Sequence, residues 1–203
     1  TVAGFFRDPL GRRPATQDHR DFISPADGKI SLVERLDRHE ATGDEPAVLV
    51  RIFLSVLDVH LNRAPCDGEI VSVTHRPGKY LDARSEESAR VNESNLIVLR
   101  DDQGDPVGIR QVSGAIARLI VCPVGIGDRL RRGTLFGMIK FGSTTELIVR
   151  DRTGSGHDDS LDGLGLDRGL ESGAHFRRRD VEGQPGLDLG VLQRSGHISR
   201  VEL

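Results

Sequence analysis

From Phe22 to about Val149, short apolar runs alternate with clusters of Gly, Pro, Asp and Asn. The runs are Lys29–Val33, Ala47–Leu54, Glu69–Thr74, Ser94–Leu99, Gly108–Val112, Ile116–Val121, Leu135–Ile139 and Glu146–Val149. Several are rich in Val and Ile, and turn residues separate them, so the pattern predicts the strands of a mainly β domain. Asp82–Ala89 is a charged Ser/Glu/Arg segment that fits either a loop or a short turn of helix. Beyond Val149 the pattern breaks into Gly, Asp, Arg and Ser with scattered Leu, and no run alternates cleanly. Stretches such as Gly154-Ser155-Gly156-His157 carry too little apolar density to offset the entropy of ordering them. The chain is therefore expected to divide into a β domain over residues 1–149 and a loosely ordered Gly/Asp/Arg-rich tail over 150–203.

Composition narrows the function classes. The 203 residues leave room for one domain with an appendage. With 28 Lys and Arg against 31 Asp and Glu the net charge is −3, which gives no global electrostatic reason to expect nucleic acid as a partner. The 24 glycines favour a turn-rich, strand-rich protein. Cys66 and Cys122 make no disulfide framework and have no metal-ligand spacing, so both read as small buried apolar residues. No apolar run is long enough for a membrane span and no signal peptide is visible. The chain starts at Thr1 rather than Met, which is read as a fragment from which an anchor segment is missing.

Five segments use residue types that plain β structure does not need. Ser24-Pro25-Ala26-Asp27-Gly28-Lys29 precedes a strand, and alone its Asp27 reads as a turn residue more readily than as a catalyst. Asp58, His60 and Asn62 share period-two spacing before Pro65, so in extended backbone they face one side. A histidine near carboxylates can be tuned for proton transfer, although a satisfied strand-end histidine explains the segment as well. Gly78–Ala83 through Asn92-Glu93 suits a substrate-facing loop or an ordinary surface loop. Arg110–Arg118 holds small residues that permit close backbone approach or simply strand packing. Gly127–Glu146 contains Gly142-Ser143-Thr144, where a hydroxyl follows the residue type that leaves its carbonyl unobstructed. That arrangement suits attack by a serine on the peptide bond before it, and such tripeptides also fill ordinary turns.

In this order the segments resemble the phosphatidylserine decarboxylase family, in its shorter bacterial and archaeal form with a Gly-Ser-Thr processing site. The matching pieces are Phe5-Phe6-Arg7-Asp8-Pro9, Ser24–Gly28, Asp58–Pro65, Pro77–Leu81, Asn92-Glu93, Arg110–Gly114 and Phe136–Thr144, spread over roughly residues 4–149. The resemblance implies a β-sandwich or barrel-like decarboxylase fold with few short helices and a barrel-sandwich hybrid-like hairpin unit in Gly127–Lys140. It also implies a self-cleaving proenzyme. Ser143 would attack the Gly142 carbonyl, and elimination and hydrolysis would leave a pyruvoyl group derived from Ser143, with no metal and no pyridoxal phosphate. The substrate implied is phosphatidylserine, converted to phosphatidylethanolamine at the cytoplasmic side of the cell membrane. The two cleaved chains would remain together as a heterodimer, open to further pairing as a homodimer.

An Asp-His-Ser relay of the family maps to Asp27, His60 and Ser143, with Asp58 expected to orient His60 or tune its charge. Larger relatives carry a second histidine where this chain has Arg63, so His60 is expected to serve both processing and decarboxylation, or another group activates Ser143. The family's closing Gly-Asp-x-Val-x-Gly-Gly block is not recognisable after Val149. The alternative from a different class is an unprocessed, non-catalytic β module that binds lipid or a protein partner.

Overall fold

The computed structural model describes residue 8, residues 21–115, 119–140 and 143–152, and the backbone of 174–181, 184–192 and 198–202. The domain is mainly β, built from antiparallel sheets with few helical residues. Its strands are β1 (Asp21–Ile23), β2 (Lys29–His39), β3 (Glu45–Leu54), β4 (Leu61–Arg63), β5 (Gly68–Arg76), β6 (Ser94–Asp101) and β7 (Pro106–Val112). They continue as β8 (Ile120–Val121), β9 (Arg129–Leu130), β10 (Leu135–Ile139), β11 (Ser143–Arg150), β12 (Ala174–Val181), β13 (Gln184–Leu192) and β14 (Ile198–Glu202).

Seven strands form one sheet in the order β2-β3-β11-β7-β6-β5-β9, with β11 between β3 and β7. In a central strand both faces are covered, and β11 is accordingly buried from Ser143 to Val149. Alternate side chains feed two cores. Val48 and Val50 of β3, Leu147 and Val149 of β11, Val107 and Ile109 of β7 and Ile97 and Leu99 of β6 pack on one face with Phe22, Ala64 and Phe136. Ala47, Leu49, Leu96, Val98 and Ile148 point the other way, onto Ala41 in a short 3-10 turn, Glu40–Thr42. The first face is closed by a three-stranded sheet, β4-β10-β8, which brings the 58–65 and 135–140 segments against β11.

Each of the eight apolar runs holds a strand. For Ile116–Val121 the described part is β8 alone, because 116–118 lie outside the described residues. The Asp82–Ala89 stretch leads into helix α1 (Glu86–Val91), begun where Ser85 Oγ accepts the amide of Ser88 at 3.1 Å. Within Gly127–Lys140, β9 pairs with β5 and β10 with β4 and β8, so the turn between them passes the chain from one sheet to the other. The stretch read as a tail contains β12, β13 and β14, which make an antiparallel meander joined to β1 through β12.

Candidate active site

One end of the seven-stranded sheet collects the segments that stood out in the sequence. Ser143 opens β11 opposite Leu54, the last residue of β3. On the far side of β3, Lys29 stands opposite Phe53, so the Asp27-Gly28 turn leads into β2 beside the same strand end. Thr144 pairs with Val112 of β7, and Val112 with Ser94 of β6, which brings Ser113 and Glu93 to that end as well. Ser113 donates its amide to the Glu93 carbonyl at 2.9 Å and its hydroxyl to the same oxygen at 3.0 Å.

Gly28 fixes how the Asp27 turn meets β3. Its φ is +151°, and a Cβ built there would lie 2.2 Å from the Phe53 carbonyl oxygen. Neither can be relieved without separating β2 from β3. Gly28→Ala is expected to cost at least about 3 kcal/mol, read as a lowered denaturation midpoint in urea, and to displace Asp27. An unchanged midpoint would show that the turn can yield.

Ser143 is fully buried, and its Oγ makes no hydrogen bond with any described residue, His60 and Asp27 included. A buried hydroxyl without a partner carries a desolvation cost of about 1–3 kcal/mol, and native structures keep such groups where chemistry uses them. Gly142, the expected cleavage partner, lies outside the described residues.

His60 is 1% exposed, and its Nδ1 lies 2.9 Å from the backbone carbonyl oxygen of Asp58. A carbonyl can only accept, so Nδ1 carries the proton and Nε2 of the neutral ring is the basic nitrogen. The His60 carbonyl accepts the Ile139 amide at 3.1 Å, four residues before Ser143 along the chain. The Asp58 carboxylate has a bond of its own within the turn. That group accepts the Ser55 amide at 2.8 Å and closes the Ser55–Asp58 turn, so the contact with His60 is made by main chain. Arg63 donates to the Gly133 carbonyl at 2.9 Å and pairs with Asp8.

The sequence singled out Asn62 only for its spacing, and the structure gives it a place in a buried amide ladder. Asn95 donates to Gln111 at 3.2 Å, Gln111 to Asn62 at 2.9 Å, and Asn62 to Thr145 Oγ1 at 3.0 Å. Thr145 follows Ser143 on the same face of β11, so the ladder holds the strand two residues from the candidate nucleophile. Gly137 makes room for it, since a Cβ there would lie 2.8 Å from Gln111 Nε2. Asn62 and Arg63 also bind the Pro25 carbonyl, at 3.4 and 3.0 Å, tying the Asp27 turn to the His60 segment. Signals for this network existed in the polar residues Asn62, Gln111 and Thr145 among apolar neighbours, but only strand register shows that they meet.

Burial pushes the Cys122 thiol above its ordinary range, outweighing bonds from Val124 and Asn95, so it stays protonated and is no rival nucleophile. Among the described residues no group of three or more His, Cys, Asp or Glu could hold a metal ion.

These features define a mainly β protein with a buried serine hydroxyl at the head of a central strand and an oriented histidine beside the chain that leads to it. A family model for phosphatidylserine decarboxylase matches residues 1–160. The chain is 38% identical over 144 residues to a phosphatidylserine decarboxylase proenzyme of Magnetococcus marinus, covering 71% of this chain and 65% of that protein. It is 43% identical over 146 residues to the proenzyme of Symbiobacterium thermophilum, 72% of this chain and 66% of that one. With the proenzyme of Carboxydothermus hydrogenoformans it shares 42% over 153 residues, 75% of this chain and 70% of the relative. The chain belongs to the phosphatidylserine decarboxylase family. It spans just under two thirds of the length of the first two of these relatives.

Proposed function

We propose that this chain is a self-processing, pyruvoyl-dependent phosphatidylserine decarboxylase, cut between Gly142 and Ser143. The observation that carries the reading is the buried, unpartnered Ser143 Oγ at the head of β11, on the chain that leaves β10 next to His60. In processing, Ser143 Oγ bonds to the carbonyl carbon of Gly142 and the Gly142–Ser143 amide bond breaks, giving an ester. Loss of the Ser143 α-proton then expels the Gly142 carboxylate, and hydrolysis releases ammonia and leaves a ketone at the new terminus. His60 accepts the hydroxyl proton at Nε2, while Nδ1 stays fixed by the Asp58 carbonyl. Asp27 completes the relay from the adjoining turn, which the Pro25 carbonyl holds against Asn62 and Arg63.

The residues present fit the group. Elimination would carry Oγ away with the Gly142 carboxylate and the ketone would form at the Ser143 Cα, so the site would lose its unpartnered hydroxyl. When present, the pyruvoyl group supplies a conjugated sink for the electrons left when carbon dioxide departs. His60 then returns a proton to the substrate carbon, serving both steps in a chain where Arg63 is engaged elsewhere. Cleavage would not release the second chain, because β11 stays paired with β3 along Ser143–Arg150 and with β7 along Thr144–Val149. Phosphatidylserine in a membrane surface is the substrate of this reading. Among the described residues no helix is long and apolar enough to cross a membrane.

The test is the intact mass of the purified chain under denaturing conditions. Two fragments, residues 1–142 and 143–203, are expected, with the second blocked at its N-terminus by a group that reacts with hydrazides. A single species near 22.2 kDa would overturn the reading in favour of an unprocessed β module that binds lipid or a partner.

A further inference from the structure

The loop that follows β5 is fastened to the Ser143 end of the sheet more firmly than its own side chains require. No residue of 77–83 belongs to an apolar core, and Tyr80 is 39% exposed. Asn92 and Glu93 nevertheless bind the loop along its length. The Lys79 amide donates to the Val91 carbonyl at 2.7 Å, and the Lys79 carbonyl accepts the Glu93 amide at 3.0 Å. Buried Asn92 accepts the Leu81 amide at Oδ1, 2.8 Å away, and donates Nδ2 to the Leu81 carbonyl at 2.9 Å. Tyr80 donates its hydroxyl to Glu93 Oε2 at 2.8 Å, and Oε1 of the same carboxylate lies 2.9 Å from His75 Nε2 on β5. Gly78 permits the close approach, since a Cβ there would lie 2.4 Å from the Val91 carbonyl oxygen and 2.5 Å from the Glu93 amide nitrogen.

The residues that hold the loop also hold Ser113. Asn92 Nδ2 donates to the Ser113 carbonyl at 2.8 Å, and the Glu93 carbonyl accepts both the amide and the hydroxyl of Ser113. Val112 pairs with Thr144, so one step further along the register Ser113 comes beside Ser143. A single buried amide thus links Leu81 to the strand position next to the candidate nucleophile. Ordering a loop costs backbone entropy, and no core side chain within this loop offsets it. A lid that opens in each cycle gains nothing from being tied at both its backbone and its tyrosine. A wall that holds a substrate in place does, because a positioned group is only as precise as the shell behind it.

We propose that Asn92 is a positioning residue: by binding Leu81 and Ser113 together it makes the 78–82 loop a fixed wall of the Ser143 site, against which the amine-bearing headgroup of the substrate is held. The proposal rests on the decarboxylase reading. Two variants of the full chain test it. Asn92→Asp keeps the acceptor for the Leu81 amide, and its ionised carboxylate has no donor for the Leu81 and Ser113 carbonyls. Gly78→Ala leaves Asn92 intact and pushes the loop away from Val91 and Glu93 at an exposed position.

Each variant is expected to raise KM for a soluble short-chain phosphatidylserine about tenfold while kcat stays within about twofold, the mark of lost substrate binding rather than lost chemistry. The ketone at residue 143 should react with a hydrazide reagent about fivefold faster, because the wall over it has loosened. Self-cleavage needs no substrate and should keep its rate in both. A merely structural role would slow cleavage and lower kcat and the thermal midpoint together with KM unchanged, and that pattern would overturn the proposal. Unchanged KM and unchanged hydrazide reactivity in Gly78→Ala would overturn it as well, and this variant decides if Asn92→Asp does not fold. An unsubstituted chain that never cleaves removes this proposal and the decarboxylase reading together. A chain that cleaves while both variants keep its KM removes this proposal alone.

Discussion

Ser143→Ala is expected to leave the chain as one species near 22.2 kDa and, at the same time, to make it more stable. The two effects have one origin. Ser143 Oγ is the nucleophile of the proposed cleavage, and alanine has no hydroxyl to replace it. The same oxygen is fully buried without a hydrogen bond among the described residues, so its loss removes an unsatisfied polar group and leaves only a small void. A gain of about 1 kcal/mol follows from the usual desolvation cost of such a group. The proper reference is another uncleaved chain, His60→Gln, because a nicked protein unfolds from a different state. His60→Gln is itself expected to slow cleavage by at least about a hundredfold, the usual contribution of a positioned general base. Gln can still donate to the Asp58 carbonyl but has no basic nitrogen. Cleavage of the alanine chain at residue 142 would remove Ser143 from the reaction. An alanine chain less stable than His60→Gln would mean that the hydroxyl is held by a partner after all.

The strands of the domain were legible because their apolar runs are long enough to show themselves. β3 shows itself in Ala47–Val50 and Ile52–Leu54 around Arg51, and β11 in Leu147–Val149 after its polar first half. β1, β4 and β9 were not read, since strands of two or three residues have no period and exist through their pairing partners. The turn chemistry around Asp27, Asp58 and Ser143 was visible as motifs, and antiparallel register explains how the segments that carry them reach one end of a sheet. What each motif side chain touches was a separate matter. The Asp58 carboxylate, three residues after Ser55, closes that turn, and it is the Asp58 backbone carbonyl that meets the His60 ring. The buried amides escaped notice for a different reason. Gln111 and Thr145 are ordinary polar residues in their own strands, and only their shared register makes a ladder of them. In the meander β12–β14, Leu187, Leu189 and Val191 alternate with Asp188 and Gly190 in β13, but that run is short and set among glycines, and its strands are defined by pairing to one another and to β1.

Glu146→Gln is expected to destabilise the domain by about 3–5 kcal/mol, lowering the midpoint of thermal unfolding by roughly 10 °C or more. Glu146 lies directly opposite Arg51 on β3 and opposite Arg110 on β7, on the face turned away from Ser143. Its carboxylate is fully buried and accepts Arg51 Nε at 2.8 Å and Arg110 Nη1 at 3.1 Å. The two guanidinium groups are only 18% and 16% exposed, so water cannot replace the carboxylate for them. With glutamine, two cations face each other across one strand with no negative charge between them. The loss is therefore larger than that of a surface pair, which contributes little. Replacing the triad together, Arg51→Met with Glu146→Leu and Arg110→Met, is expected to restore most of the lost stability, because the desolvated charges go with their partners. Recovery should be incomplete, since Arg110 also donates to the Ala89 carbonyl at 2.7 Å and fastens helix α1 to the sheet. Both variants also bear on processing. Glu146 is three residues from Ser143 and clamps the strands on either side of it, so cleavage should slow in Glu146→Gln and return with the triple variant. A Glu146→Gln chain that melts and cleaves like the unsubstituted one would show that β11 is held in place by its backbone pairing and the amide ladder alone.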